Sequence, residues 1–487
     1  MKQTSGCARF AFAALLALTA VFANAAERPN ILVFLSDDQS APHLGCYNNP
    51  DIHTPHLDVF AAQGMRFDRA YVTCPQCVPS RASIMTGRSP VRIGMTRFSA
   101  PLPMEVVTYP ELLRQAGYFT GVAGRTHHLD GDASSKASRE TFEKYQLQTF
   151  PRRLDFVKMA KLPHGPAYND EIINQYREFL DAVPAGKPFF LQLCTSDPHR
   201  PFDGKGIPAP RDPAKLKLPA WFPDTVEVRK DLADYYDEVS RMDETFGRAV
   251  AELEKRGLAS NTLAVFMGDN GASQLRGKGT LYEFGIHVPL LVRWPGVVKP
   301  GGATSELISG EDIGPTALRA AGLDVPADWT GRSFLPLLRG ERFGGHAAVF
   351  AERGAHASSL PGSTSAFDLS RVVVTKTHKL IYNALFQLPY APEGFSGKPS
   401  WKSTVKATGQ GKVPASLVPF YTGKERPLFE VYDLVNDPNE LNNLAGKREA
   451  TAIELELKTA LQQWMILERD YLPLPLVDAG KKKSATH

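Results

Sequence analysis

Five cysteines in 487 residues are too few and too unevenly spaced for a disulfide framework. Two of them form Cys74-x-x-Cys77, which read alone is a redox or metal-binding pair. No second such pair exists, and neither Cys46 nor Cys194 supplies the repeated spacing of a zinc site. The chain also lacks any Asn-x-Ser/Thr sequon, which favours a bacterial periplasm over a glycosylating compartment. Charge of one sign is missing: 56 basic residues face 52 acidic ones, and a net +4 carries no nucleic-acid signature. Lys481-Lys482-Lys483 reads as part of a solvated basic tail, 476–487. Long apolar runs are absent except for Phe10 to Phe22, preceded by Lys2 and Arg9 and followed by Ala23-Asn24-Ala25. That layout predicts a signal peptide over 1–25 and a periplasmic or secreted protein starting at Ala26, with no membrane span in the mature chain.

What remains is the composition of a globular protein, with 43% hydrophobic and 22% charged residues. Asn30 to Leu35 is a continuous apolar run, suited to a strand buried on both faces. Tyr118 to Ala123, Phe189 to Cys194 and Thr262 to Met267 repeat the pattern. Helical spacing lies between them at 54–63, 108–116, 171–183 and 226–256. Strands alternating with helices predict an α/β fold with a large, mostly parallel sheet sandwiched by helices. Residues 130–168 and 201–224 read as irregular. A helix near 312–321 and a strand near 347–351 complete a large domain, 26–360. After Pro361 the composition shifts to Gly, Ser and Pro, and strands at 371–383 and 428–434 with a helix at 448–467 predict a smaller α+β subdomain, 361–475.

Each of the four strands ends in polar residues: Asp37-Asp38, Gly124-Arg125-Thr126-His127-His128, Asp197-Pro198-His199-Arg200 and Asp269-Asn270. In open parallel sheets ligands bind beyond the carboxyl ends of the strands, so these residues are aimed at one place. Any one Asp pair reads equally as a turn or helix cap. Together, three carboxylates and an amide form a hard oxygen set that suits calcium or magnesium better than zinc. Cys77 opens a short helical pattern that tolerates Pro79 in its first turn and ends at Gly87. The thiol therefore stands at a helix N-terminus with Arg81 one turn on.

The run Cys77-Val-Pro79-Ser80-Arg81-Ala-Ser-Ile-Met-Thr86-Gly87 resembles the type I sulfatase signature, with every fixed position matched. The resemblance extends through Gly277-Lys278-Gly279-Thr280 to Tyr432-Asp433-Leu434, Asp437-Pro438 and Glu440 to Leu444. It implies an alkaline-phosphatase-like fold and an enzyme in which Cys77 is oxidised to formylglycine by a formylglycine-generating or anaerobic sulfatase-maturating enzyme. The aldehyde hydrate attacks sulfur, and its second hydroxyl lets the sulfate leave so that the enzyme turns over. Carried over by matching position, the metal ligands are Asp37, Asp38, Asp269, Asn270 and the modified Cys77, with calcium as the ion. Arg81 would hold the hydrate, His127 would act as base, and His199 and Lys278 would bind sulfate and assist the leaving group. His128 and His287 keep a structural reading. The family's Gly-Lys-x-His segment here reads Gly124-Arg125-Thr126-His127, which exchanges a point charge for a planar bidentate cation at the sulfate.

Asp197 to Phe202, Pro223 to Gly247 and Leu380 to Pro389 look similar to N-sulfoglucosamine sulfohydrolases. The implied substrate is a sulfated carbohydrate, with N-sulfoglucosamine of heparan-type glycans first. An O-sulfatase on another glycan, an aryl- or choline-sulfate hydrolase, and a phosphonate monoester or phosphodiester hydrolase stay open.

Overall fold

The computed structural model describes residues 28–125, 128–131, 135–162, 164–356 and 362–472. The expected signal segment, the basic tail and His127 lie outside the described residues. In chain order the strands are β1 (Asn30–Ser36), β2 (Met65–Phe67), β3 (Ala70–Tyr71), β4 (Phe119–Gly124), β5 (Phe156–Val157), β6 (Phe189–Cys194) and β7 (Thr262–Gly268). There follow β8 (Leu290–Arg293), β9 (Gly302–Thr304), β10 (Ile308–Ser309), β11 (Val349–Ala355), β12 (Phe367–Val374), β13 (His378–Asn383) and β14 (Phe429–Asp433).

Eight strands form one sheet in the order β5-β4-β6-β1-β7-β8-β2-β9. The run from β5 to β7 is parallel, and only β8 lies antiparallel to its neighbours. Central β1 explains its own sequence. Ile31, Val33 and Leu35 enter one core and Leu32 and Phe34 the other, so apolar residues are needed at consecutive positions. The helices Pro55–Gln63, Pro166–Ala182 and Val226–Lys255 cover one face through Leu57, Ile172 and Leu232. Cys77–Thr86, Tyr109–Gln115 and Ile313–Ala320 cover the other through Ile84, Leu113 and Ala317.

Strands β11 to β14 form a separate antiparallel sheet. One face packs Val373, Leu380 and Val431 against Leu457, Leu461 and Met465 of the helix Thr451–Leu467. The opposite face sends Val372, Val374 and Ile381 into the core of the large sheet. The smaller unit is thus docked by apolar burial as well as by an ion pair from Lys379 Nζ to Glu283 at 2.7 Å, with Glu440 of the smaller unit holding the same Nζ at 2.8 Å.

Three expectations change. The strand near 347–351 forms as β11, but it pairs with β12, so it opens the small sheet and does not close the large domain. The Gly/Ser/Pro-rich stretch after Pro361 follows β11 within that sheet, because an antiparallel pair needs a connection at that point. The run 371–383 is two strands, β12 and β13, split by a turn in which Thr375 N donates to the His378 carbonyl at 2.8 Å. Within 130–168, residues Lys136–Lys144 are helical, and the following helix starts at Pro166, ahead of Glu171, because proline suits a first helical position. Among the described residues no helix is long and apolar enough to cross a membrane.

Candidate active site

Strands β4, β6, β1 and β7 are adjacent and parallel, so their carboxyl ends emerge side by side. Ser36 of β1 pairs with Gly268 of β7, which brings Asp37 and Asp38 alongside Asp269 and Asn270. Successive strand residues face opposite ways, yet both aspartates are needed in one place. Asp38 resolves this with φ of 64°, a left-handed conformation that Asp tolerates better than most residues. Gln76 caps the helix Cys77–Thr86 in extended conformation, Cys77 is its first residue, and Gly87 ends it at φ 62°.

Ligand atoms of Asp37, Asp38, Cys77 and Asp269 lie within 4.8 Å of one another, all buried. Three cations answer the three carboxylates. Arg81 reaches Asp37 at 3.0 Å and Asp269 at 2.8 Å, Arg125 reaches Asp37 at 2.8 Å, and Lys278 reaches Asp38 at 2.6 Å. Lys278 Nζ is also 3.2 Å from Cys77 Sγ. Burial opposes ionisation of Asp37, but Arg125, His199, Arg81 and Lys278 outweigh it and hold its carboxyl well below the usual range. Burial pushes Asp38 up to about 7, Lys278 pulls the other way, and Asp37 and Asp269 add to the rise. Burial, then Asp37, pushes the Cys77 thiol well above its ordinary value against the pull of Lys278, so the unmodified side chain is a protonated thiol.

Two oxygens of this cluster, Asp38 Oδ2 and Asn270 Oδ1, are buried without a hydrogen-bond donor. A buried carboxylate oxygen and amide oxygen without a donor are costly, and a hard cation is the partner that would satisfy both. The donor set fits calcium.

Of the other predicted residues, Arg125, Lys278 and His199 converge here too, and His127 lies outside the described residues. Gly124 ends β4 at φ 90°, where a Cβ would lie 2.1 Å from the Cys194 carbonyl; only glycine lets the chain pass and turn Arg125 inward. Gly277 has the same role before Lys278, since its Cβ would sit 2.0 Å from the Ala272 carbonyl. His199 turns Nδ1 to the carbonyl of Arg200 and Nε2 to Asp38 Oδ2 at 3.7 Å. Its loop is held by Arg241, which grips both oxygens of Asp197 at 2.8 Å. His287 lies elsewhere, beside Glu283 and stacked on Tyr71, and His128 is half-buried, edge-on to Phe98.

A pocket of ≈ 430 Å³ opens over this floor, lined by Asp38, Arg125, His199 and Lys278 and, from more distant sequence, His356 and Glu393. Sequence reasoning missed those last two, as well as Ser196, which accepts from Arg125 at 3.0 Å, and His164, whose ring lies 6.1 Å from that of His199. No local motif marks them.

This arrangement has the makings of a hydrolase acting on an anionic group, and the comparisons name the class. Residues 29–323 match the family model for sulfatases, so the chain belongs to the sulfatase family, whose members hydrolyse sulfate esters or sulfamates. Residues 271–382 also match the model described as N-sulphoglucosamine sulphohydrolase, C-terminal. Human N-sulphoglucosamine sulphohydrolase is 30% identical over 93% of each chain. An ulvan-active sulfatase of Formosa agariphila is 28% identical over 93% of this chain and 84% of its own. Among solved structures, a protein in complex with its substrate D-glucosamine-2-N,6-O-disulfate superposes with TM-score 0.68 at 22% identity, covering 92% of this chain and 99% of the other. The phosphonate monoester hydrolase of Silicibacter pomeroyi gives 0.67 at 21%, covering 91% and 96%, a likeness of fold.

Proposed function

We propose that the protein removes sulfate from a sulfated sugar, with N-sulfoglucosamine at the end of a heparan-type chain as its substrate, after Cys77 has been converted to formylglycine. The observation that carries the reaction is the shared cluster of Cys77 with three carboxylates, reached by Lys278 at 3.2 Å. The substrate rests on the match of residues 271–382 and the human relative. Conversion by a maturating enzyme would supply a hydroxyl nucleophile in place of the protonated thiol, and one that can be regenerated. Asp37, Asp38, Asp269 and Asn270, with residue 77, would hold a calcium ion, which would supply positive charge for the sulfate oxygens.

The chain's own residues do the rest. Arg81 fixes the carboxylates of Asp37 and Asp269 so that neither can rotate away from residue 77. Lys278 and Arg125 bring fixed positive charge to the pocket floor, where sulfate oxygens bind without reorganising water. His199, with Nδ1 committed to the Arg200 carbonyl, presents Nε2 to the same place and orients the sulfate. His127 remains the proposed base that regenerates the nucleophile. The expected signal segment places the mature enzyme in the periplasm or outside the cell.

Purified enzyme made with a maturating partner decides the substrate. N-sulfoglucosamine should be desulfated far faster than glucosamine 6-O-sulfate, an ulvan oligosaccharide or a phosphonate monoester. Faster release from ulvan, the direction in which the Formosa relative points, would overturn the N-sulfate reading and leave the sulfatase standing.

A further inference from the structure

Lys398 stands at the pocket mouth, where its backbone N–H bonds to the Phe395 carbonyl at 2.9 Å and the Arg200 guanidinium stacks on the Phe395 ring at 4.6 Å. The helix Pro399–Gly409 starts from this point. Lys402 N donates to the Lys398 carbonyl at 3.2 Å, and Lys406 lies one turn further on. The three lysines therefore share one side of the helix, and all three are exposed. Ser400, Thr404, Ala407 and Thr408, on the other side, are buried. At 1.5 Å per residue the lysine row extends about 12 Å from its start at the mouth.

A solvated helix face ordinarily mixes signs, and three other helices of this protein pair a lysine with an acid one turn away: Lys136 with Glu140 at 3.6 Å, Lys230 with Asp234 at 2.6 Å and Lys458 with Glu454 at 2.6 Å. From Gly394 to Lys424, by contrast, the chain has five lysines and no acidic residue. Among the described residues none of Lys398, Lys402 and Lys406 has a carboxylate within ion-pair distance. Where the helix Val226–Lys255 meets this one, Thr225 Oγ1 lies 2.9 Å from Ser403 Oγ, and the adjoining Asp224 is held by Arg229 at 2.5 Å. Like charges one turn apart work against a helix. The helix dipole favours a cation in the last turn, which accounts for Lys406 but not for Lys398 and Lys402 at the opposite end. An anion laid along the row is the partner that would offset this repulsion.

We propose that this lysine row binds the anionic chain of a sulfated glycan whose terminal sugar occupies the pocket. The chain's anionic groups, fixed at repeating positions, lie along Lys398, Lys402 and Lys406 in water, so each contact is a screened surface pair. Lys402 and Lys406 are outside the pocket lining. They hold ground state and transition state alike, and so act on KM and not on kcat. The protein thereby favours the ends of polymers over free sugars. The inference rests on the sulfated-sugar reading of the pocket but not on the choice of N- over O-sulfate.

The test varies chain length within the sulfated series that the wild type cleaves fastest. For the double variant Lys402→Ala/Lys406→Ala, KM for an octasaccharide should rise about three- to tenfold with kcat unmoved, the combined effect of two exposed ion pairs. KM for the matching monosaccharide should stay within about 1.5-fold of the wild type. Lys402→Arg/Lys406→Arg, which keeps both charges, should match the wild type at every length. In about 1 M salt, where screening acts within ~3 Å, the octasaccharide difference should vanish. A KM equal in variant and wild type at every length, or a loss as large on the monosaccharide, would overturn the proposal and leave the reading of the pocket standing. So would binding to phosphatidylglycerol vesicles that the double variant loses while its octasaccharide KM is unchanged, which would assign the row to a membrane surface. Wild-type enzyme that released sulfate from no sugar, short or long, would sink the reading of the pocket and the role of the row with it.

Discussion

On the pocket floor, Asp37, Asp38, Arg125, Asp269 and Asn270 stand just beyond three strands of one parallel sheet, and Cys77 and Arg81 share one helix. On the wall, His356, Glu393 and Lys398 come from β11's end and from the chain after β13. Floor positions are set by hydrogen-bond register between neighbouring strands, and their charges are buried and paired. Wall positions depend on how one sheet docks against another, and His356 and Lys398 are at least partly exposed while Glu393 is buried. The difference separates tasks. Under the proposed function, chemistry would sit where a shift of an ångström would break a ladder, and recognition of the leaving sugar where loops can change without disturbing that ladder.

The largest expected effect tests the floor. Cys77→Ala removes the proposed nucleophile and should lower kcat on the order of 10⁴-fold or more while leaving the melting temperature near that of the wild type. Peptide mass spectrometry of active protein should find an aldehyde at position 77. Activity from wholly unmodified Cys77 would contradict the mechanism. Second in size is Asp269→Ala. It strips Arg81 Nε of its partner in a fully buried setting, and breaking such a pair costs about 3–5 kcal/mol. Activity should disappear and stability fall together, the signature of a charge that serves both. Chelation of the wild type should abolish turnover reversibly, with calcium restoring it. Recovery with zinc alone would instead mean a donor preference at odds with the oxygen set.

The same contrast explains what the sequence disclosed. Strand β1 and its acidic end were legible because burial on both faces demands a continuous apolar run, and the break to Asp37-Asp38 is abrupt. Cys77, Arg81 and Gly87 were legible because one helix carries them at fixed spacing. His356 and Glu393 were not. Their meaning arises from contacts across long stretches of chain, Gln76 with His356 and Arg353 with Glu393, and neither stands in a local pattern. The partner of β11 was hidden for a related reason: composition near 360 marks a loop, but strand pairing across it decides which sheet β11 joins.

The next prediction sharpens the comparison at the wall. The Glu393 carboxyl is held at about 2 in the folded state, below its unfolded value, so its ionisation stabilises the fold above the unfolded value. That contribution is lost as pH falls toward 2. Glu393→Gln should therefore be less stable than the wild type by about 2–3 kcal/mol near pH 7, with the gap closing between roughly pH 5 and 2. Denaturant melts at several pH values read this directly. A gap independent of pH would mean that Glu393 acts through packing and not through charge.

The smallest effect belongs to the rim. Lys398 is exposed at the pocket mouth, and it caps the helix Pro399–Gly409 at its N-terminus. A mobile cation there cannot touch the reacting bond, but it can attract the next anionic group of a glycan whose terminal sugar is bound below. Lys398→Ala should therefore leave kcat and the KM of a monosaccharide unchanged and raise KM for a sulfated oligosaccharide about two- to fivefold, the range of an exposed ion pair. Because the pair would be exposed, raising salt well above 0.15 M, where screening already acts over ~8 Å, should erase the difference between variant and wild type. A loss in kcat, or one equally large on the monosaccharide, would move Lys398 from the rim into the pocket and blur the division between floor and wall.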